Sequence, residues 1–97
     1  MSALIDFSIF PLDKGDSLSA YVARVLKIIK DSGLPHKIGP MGTSVEGEWD
    51  QVMAVVTNCF EELKKDSDRV YMALKVDYRK GPLGRIESKV KSVEEKL

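Results

Sequence analysis

The stretch VYMALKVDYR, residues 70–79, is the part of the sequence that decides the fold. Its apolar residues alternate with a second set of mixed chemistry, namely Tyr71, Ala73, Lys75, Asp77 and Arg79. Alternation with a period of two is typical of a β-strand that has one face on a hydrophobic core. The segment therefore predicts a long strand whose other face is open.

Two segments before this strand predict helices. Apolar residues recur every three or four positions in both, at Leu18, Tyr21, Val22, Val25, Leu26 and Ile29 and again at Val52, Val55, Val56, Cys59, Phe60 and Leu63. Asp16 or Ser17 can accept hydrogen bonds from the free N–H groups at the start of the first helix. Glu48 and Asp50 place negative charge at the positive end of the second, over about residues 48–65.

Three more strands complete the pattern. Apolar and polar residues alternate from Ala3 to Pro11, which predicts an opening strand. Between the two helices, Gly39-Pro40 interrupts a region poor in helix formers, and two short strands are expected there, at about 36–39 and 41–46. The order βαββαβ predicts the α+β class: a ferredoxin-like sandwich with a four-stranded antiparallel sheet and both helices on one face. The second face of the sheet is expected to be uncovered.

The last residues predict an additional helix. Gly81-Pro82 and Gly84 end the long strand, and a narrow apolar stripe then follows at Ile86, Val90, Val93 and Leu97. Residues 1–97 are long enough for one domain with one core, so this helix and the uncovered sheet face both need a partner. We expect residues 81–97 to contact another subunit in a homodimer or homotetramer.

Composition excludes several classes of function. Fifteen basic and fifteen acidic residues cancel, so no positive field favours a nucleic-acid or membrane partner. Cys59 is the only cysteine, and no His/Cys cluster has the spacing of a metal site. The first residues lack the basic region of a secretion signal. The sequence therefore predicts a cytoplasmic protein with no metal and no required cofactor.

One motif suggests a family. The segment Met41-Gly42-Thr43-Ser44-Val45-Glu46-Gly47, followed by a helix, resembles the Met-Gly-Thr-x-x-Glu-Gly signature of the small YkoF-like thiamine-binding proteins. The resemblance extends to the opening strand, the first helix and the basic turn after the long strand. It implies a ferredoxin-like subunit, a dimer or tetramer, and binding of thiamine or its aminopyrimidine half without catalysis.

The residue chemistry of the motif fits such a ligand. A carboxylate beside a hydroxyl suits an aminopyrimidine, which makes Glu46, Ser44 and Thr43 candidates. The permanent cation of the thiazolium needs a carboxylate or an aromatic face. Further candidates for the ligand site, from the open face and the second helix, are Asp6, Ser8, Asp77, Trp49 and Tyr71.

Structural interpretations compete with these roles. Trp49 can anchor the second helix on the sheet, Glu46 can pair with Lys75, and Thr43 leaves the site if it faces the helices. The basic residues around the turn after the long strand are most simply a solvated loop, and the alternative is that they hold an anion such as a phosphate ester; they are Arg79, Lys80 and Arg85. The sequence offers no recognisable pairing of nucleophile and base for an enzyme and no aromatic platform for RNA. The alternative function is an ACT-like or purely structural oligomeric module that does not bind thiamine.

Overall fold

The computed structural model describes residues 2–97, and Met1 lies outside them. Within that range the chain forms, in order, β1 (Ser2–Pro11), α1 (Ser19–Asp31), β2 (His36–Ile38), β3 (Thr43–Gly47), α2 (Trp49–Lys64), β4 (Val70–Arg79) and α3 (Arg85–Glu94). The strands form one antiparallel sheet in the order β2-β3-β1-β4. The predicted ferredoxin-like fold is confirmed. None of the helices within residues 2–97 is long and apolar enough to cross a membrane.

The hydrophobic core lies between one face of the sheet and the helices α1 and α2. Alternate residues of β1 point into it and are buried, as the period of two predicts, namely Ala3, Ile5, Phe7 and Ile9. Each large apolar side chain buried in this way contributes roughly 1.5–3 kcal/mol. Cys59 is fully buried among them, which confirms its predicted core position, and desolvation raises the pKa of its thiol to about 12.

The helix starts differ in how they are capped. Leu18 is the cap residue of α1, and its carbonyl accepts hydrogen bonds from the N–H groups of Tyr21 and Val22. The predicted cap by Asp16 or Ser17 is wrong, because the helix starts too late for either side chain to reach its free N–H groups. At α2, Glu48 and Gln51 form a capping box, in which the Glu48 N–H donates to the Gln51 side chain at 3.0 Å.

The prediction of an uncovered sheet face is wrong for half of that face. After Gly84, in the left-handed region at φ 103°, α3 turns back and packs against β3. The side chain of Arg85 is buried and donates to the Ser2 hydroxyl at 3.0 Å and to the Asp77 carbonyl at 2.7 Å. Arg85 therefore anchors the helix, and its predicted place on a solvated loop is wrong. The other half of the face remains open around Asp6 and Phe10.

Candidate functional site

A mismatch in strand length creates a cavity at one edge of the sheet. β1 has ten residues, but β3 pairs with it only from Ala3 to Phe7. Beyond Phe7, β1 has β4 on one side and, within residues 2–97, no strand on the other. The helix α1 and the turn at residues 39–42 border this gap, and they enclose a space of about 480 Å³. We call this space the notch cavity.

The walls of the notch cavity are mainly apolar. On one side α1 contributes Val22 and Leu26, and the turn contributes Met41, which is 88% exposed. On the other side Phe10 and Tyr71 lie with ring centroids 5.4 Å apart. The hydroxyl-bearing residues Ser8 and Thr43 also line it, and none of its lining residues is charged. Apolar walls with a few polar groups are typical of small-molecule sites of this size.

A second depression of about 280 Å³ lies against the same turn and carries charge. Asp6, Lys37 and Ser44 line it together with the turn residues. Asp6 is paired with Ser44 across the strands, and its Oδ2 lies 3.7 Å from Nζ of Lys75. A Cβ at Gly42 would lie 3.2 Å from both Asp6 Oδ1 and the Phe7 carbonyl oxygen, so this position of the motif keeps the turn close to β1.

The other two predicted carboxylates lie under α3. Glu46 is fully buried, and its Oε1 accepts hydrogen bonds from the backbone N–H groups of Gly84 at 3.1 Å and Arg85 at 3.0 Å. Asp77 binds Lys89 and lies 3.2 Å from Nη1 of Arg85; the hydrogen bond from Lys89 lowers the pKa of the Asp77 carboxyl. The ligand roles of Glu46 and Asp77 stay predictions. A ligand could reach the buried Glu46 only if α3 moved, whereas the side chain of Asp77 is 42% exposed beside Lys89. Glu46 pairs with Arg85, so the suggested pairing with Lys75 is wrong.

The remaining candidates have separate positions. Thr43 pairs with Phe7 on the helix face and reaches the notch cavity from that side. Trp49 is 49% exposed in the first turn of α2 and is not among the side chains packed against the hydrophobic core, so its interpretation as an anchor of this helix on the sheet is wrong. Trp49 also lines neither depression. Its predicted ligand role has no support within one chain. Among residues 2–97, no group of three or more His, Cys, Asp or Glu side chains is placed to hold a metal ion.

Two parts of this site were not predicted from the sequence. Val22 was predicted only as an apolar residue of the first helix and Met41 as part of a strand, although both residues line the cavity. The gap beside β1 was also not predicted. The sequence did indicate it, because the predicted first strand was longer than its predicted neighbour at 41–46. Unequal neighbouring strands leave part of the longer one unpaired.

The fold and the cavity together define a small α+β protein with a ligand-sized depression at one edge of its sheet. Comparison with known sequences is more specific: the family model for thiamine-binding proteins matches residues 5–94. The chain therefore belongs to the thiamine-binding protein family.

The chain is also similar to known proteins and solved structures over nearly its full length. The UPF0045 protein Mb1933 of Mycobacterium bovis is 38% identical over 98 residues, which cover 100% of this chain and 96% of that protein. The crystal structure of the hypothetical protein MJ1052 from Methanocaldococcus jannaschii superposes with a TM-score of 0.88 at 34% identity, covering 97% of each chain. A Thermotoga maritima structure, TM0486, carries a provisional assignment to thiamine biosynthesis or salvage. It gives a TM-score of 0.83 at 26% identity and covers 96% of this chain and 99% of its own.

Proposed function

We propose that this chain binds thiamine, or the aminopyrimidine half of thiamine, in the notch cavity and does so without catalysis. The observation that carries the proposal is an apolar cavity of about 480 Å³ in a member of the thiamine-binding family. The cavity shares its turn with a depression lined by Asp6 and Lys37. The flat pyrimidine ring suits the apolar walls between α1 and the turn. The cationic thiazolium suits the side on which Asp6 lies.

Charge distinguishes the two halves of the proposed ligand. The pyrimidine is neutral, and the notch cavity has no charged lining residue that would have to be desolvated around it. The thiazolium is a quaternary cation and is charged at neutral pH, so it gains from the Asp6 carboxylate and from the aromatic faces of Phe10 and Tyr71. Asp6 is about half exposed, which limits the gain to that of a solvent-screened ion pair.

Calorimetric titration tests this assignment. Asp6→Asn should weaken thiamine binding by roughly two- to fivefold, the range of a solvent-screened charge pair, and should leave the neutral aminopyrimidine unchanged. Asp77→Asn is the matched control, because Asp77 is engaged by Lys89 and Arg85 under α3. If Asp77→Asn selectively weakens thiamine and Asp6→Asn does not, the thiazolium lies under α3. No heat from either ligand with the unmodified protein would favour the structural module.

We also propose that the protein is a homodimer or homotetramer. The apolar stripe that runs along α3 and continues to Leu97 supports this. Val90, Val93 and Leu97 remain 46%, 59% and 99% exposed although Arg85 docks the start of the helix. Val93→Lys should lower the mass measured by light scattering at micromolar concentration, because a charge would be buried in the contact. Ser88→Lys adds the same charge elsewhere on α3 and should leave the mass unchanged. A monomeric mass for the unmodified protein contradicts the proposal.

A further inference from the structure

The main chain of β1 has a free hydrogen-bonding edge at Ile9. In an antiparallel pair, residues that exchange hydrogen bonds alternate with residues whose N–H and C=O point the other way. The Leu12 N–H donates to the Arg69 carbonyl at 2.8 Å, which continues the β1–β4 register. Even-numbered residues of β1 therefore direct their peptide groups to β4. Odd-numbered residues direct theirs to the opposite side, where β3 lies.

On that opposite side β3 ends too early to pair with Ile9. Ile5 pairs with Val45 and Phe7 with Thr43, and Ile9 is outside the β1–β3 register. The next position of the register would be Met41, but the chain has already turned, and the side chain of Met41 is 88% exposed. The Ile9 N–H and C=O consequently point into the gap that forms the notch cavity, which Ile9 lines.

Two features agree with this orientation. Ile9 is 5% exposed and belongs to the hydrophobic core, so its position in β1 is set by packing against the helices. Pro11 is the next odd-numbered residue of β1 and has no N–H, as is usual where a strand edge has no partner. A peptide N–H and C=O enclosed by apolar walls without partners are costly unless something binds them.

We infer that the Ile9 main chain recognises the aminopyrimidine, an inference that rests on the proposed function. The 4-aminopyrimidine of thiamine presents an amino donor next to a ring-nitrogen acceptor. The Ile9 C=O accepts from the amino group, and the Ile9 N–H donates to the ring nitrogen. Val22 and Leu26 of α1 cover the ring from the helix side. The ligand thereby takes the place of the missing strand partner, and the site selects the amino form of the pyrimidine.

Analogue binding measured by calorimetry tests this selection on the unmodified protein. Oxythiamine, in which an oxo group replaces the amino group, reverses the donor and acceptor pattern and should bind at least about tenfold more weakly than thiamine. Pyrithiamine keeps the aminopyrimidine and exchanges the thiazolium for a pyridinium, so its affinity should stay within about threefold of thiamine. Equal affinities for thiamine and oxythiamine would overturn the inference and leave the proposed function intact. Failure of thiamine itself to bind would overturn both.

Amide hydrogen exchange followed by NMR locates the contact. Without ligand the Ile9 amide should exchange faster than those of Ile5 and Phe7, which face β3. Saturation with thiamine should slow exchange at Ile9 by at least about tenfold, and saturation with pyrithiamine should do the same. An Ile9 amide that is already as protected as Phe7 in the free protein, or that is unaffected by bound thiamine, would contradict the inference.

Discussion

Replacing Glu46 by glutamine should release α3 from the sheet and lower the free energy of unfolding by about 3 kcal/mol. Oε1 of Glu46 receives the N–H groups of Gly84 and Arg85, and Oε2 lies 3.8 Å from Nε of Arg85. A glutamine offers one accepting oxygen in place of two and leaves the Arg85 guanidinium without this carboxylate. Both groups are buried, so water cannot compensate for the loss.

Urea unfolding and amide exchange along α3 measure this effect. Glu61→Gln is the control, because it makes the same chemical change at an exposed site on α2. Exchange should accelerate in residues 85–94 of the Glu46→Gln variant and remain unchanged in the control. A variant as stable as the control, but impaired in thiamine binding, would instead place Glu46 in the ligand site.

Val22→Trp should reduce the affinity for thiamine by at least about tenfold, or 1.4 kcal/mol, while the protein stays folded. Val22 lies at the rim of the notch cavity and is 38% exposed, so a larger side chain can enter the cavity without disturbing the core. Ala23→Trp is the matched control, one residue further along α1 at an exposed position outside the cavity lining. Unchanged affinity in Val22→Trp would exclude the notch cavity as the site.

The fold was predictable because periodicity reports which face of an element is buried. The alternation in residues 70–79 and the apolar spacing of the two helices give the βαββαβ order directly. The docking of α3 was not predictable in this way. It depends on contacts between Glu46 and Arg85, 39 residues apart in the chain, and helical spacing does not reveal a buried ion pair between distant elements.

The candidate site was predictable in part. Alternation correctly placed Asp6 and Ser44 on one face, where they are paired across adjacent strands, and it placed Glu46 and Asp77 on the same face. Asp6 and Ser44 lie on the open half of this face, and Glu46 and Asp77 lie on the half next to α3. This difference follows from the path of the chain after Gly84, which alternation does not predict. The main-chain edge at Ile9 cannot be predicted from side-chain patterns, because all residues except proline have the same peptide N–H and C=O groups.

An NMR titration of the unmodified protein with thiamine tests the central claim most directly. Binding in the notch cavity should shift the backbone resonances of residues 8–10, of the turn at 39–43 and of the α1 residues Val22 and Leu26. The resonances of Trp49 and of α3, which lie outside both depressions, should remain in place. Shifts centred on Glu46, Asp77 and α3, with residues 8–10 unaffected, would contradict the account.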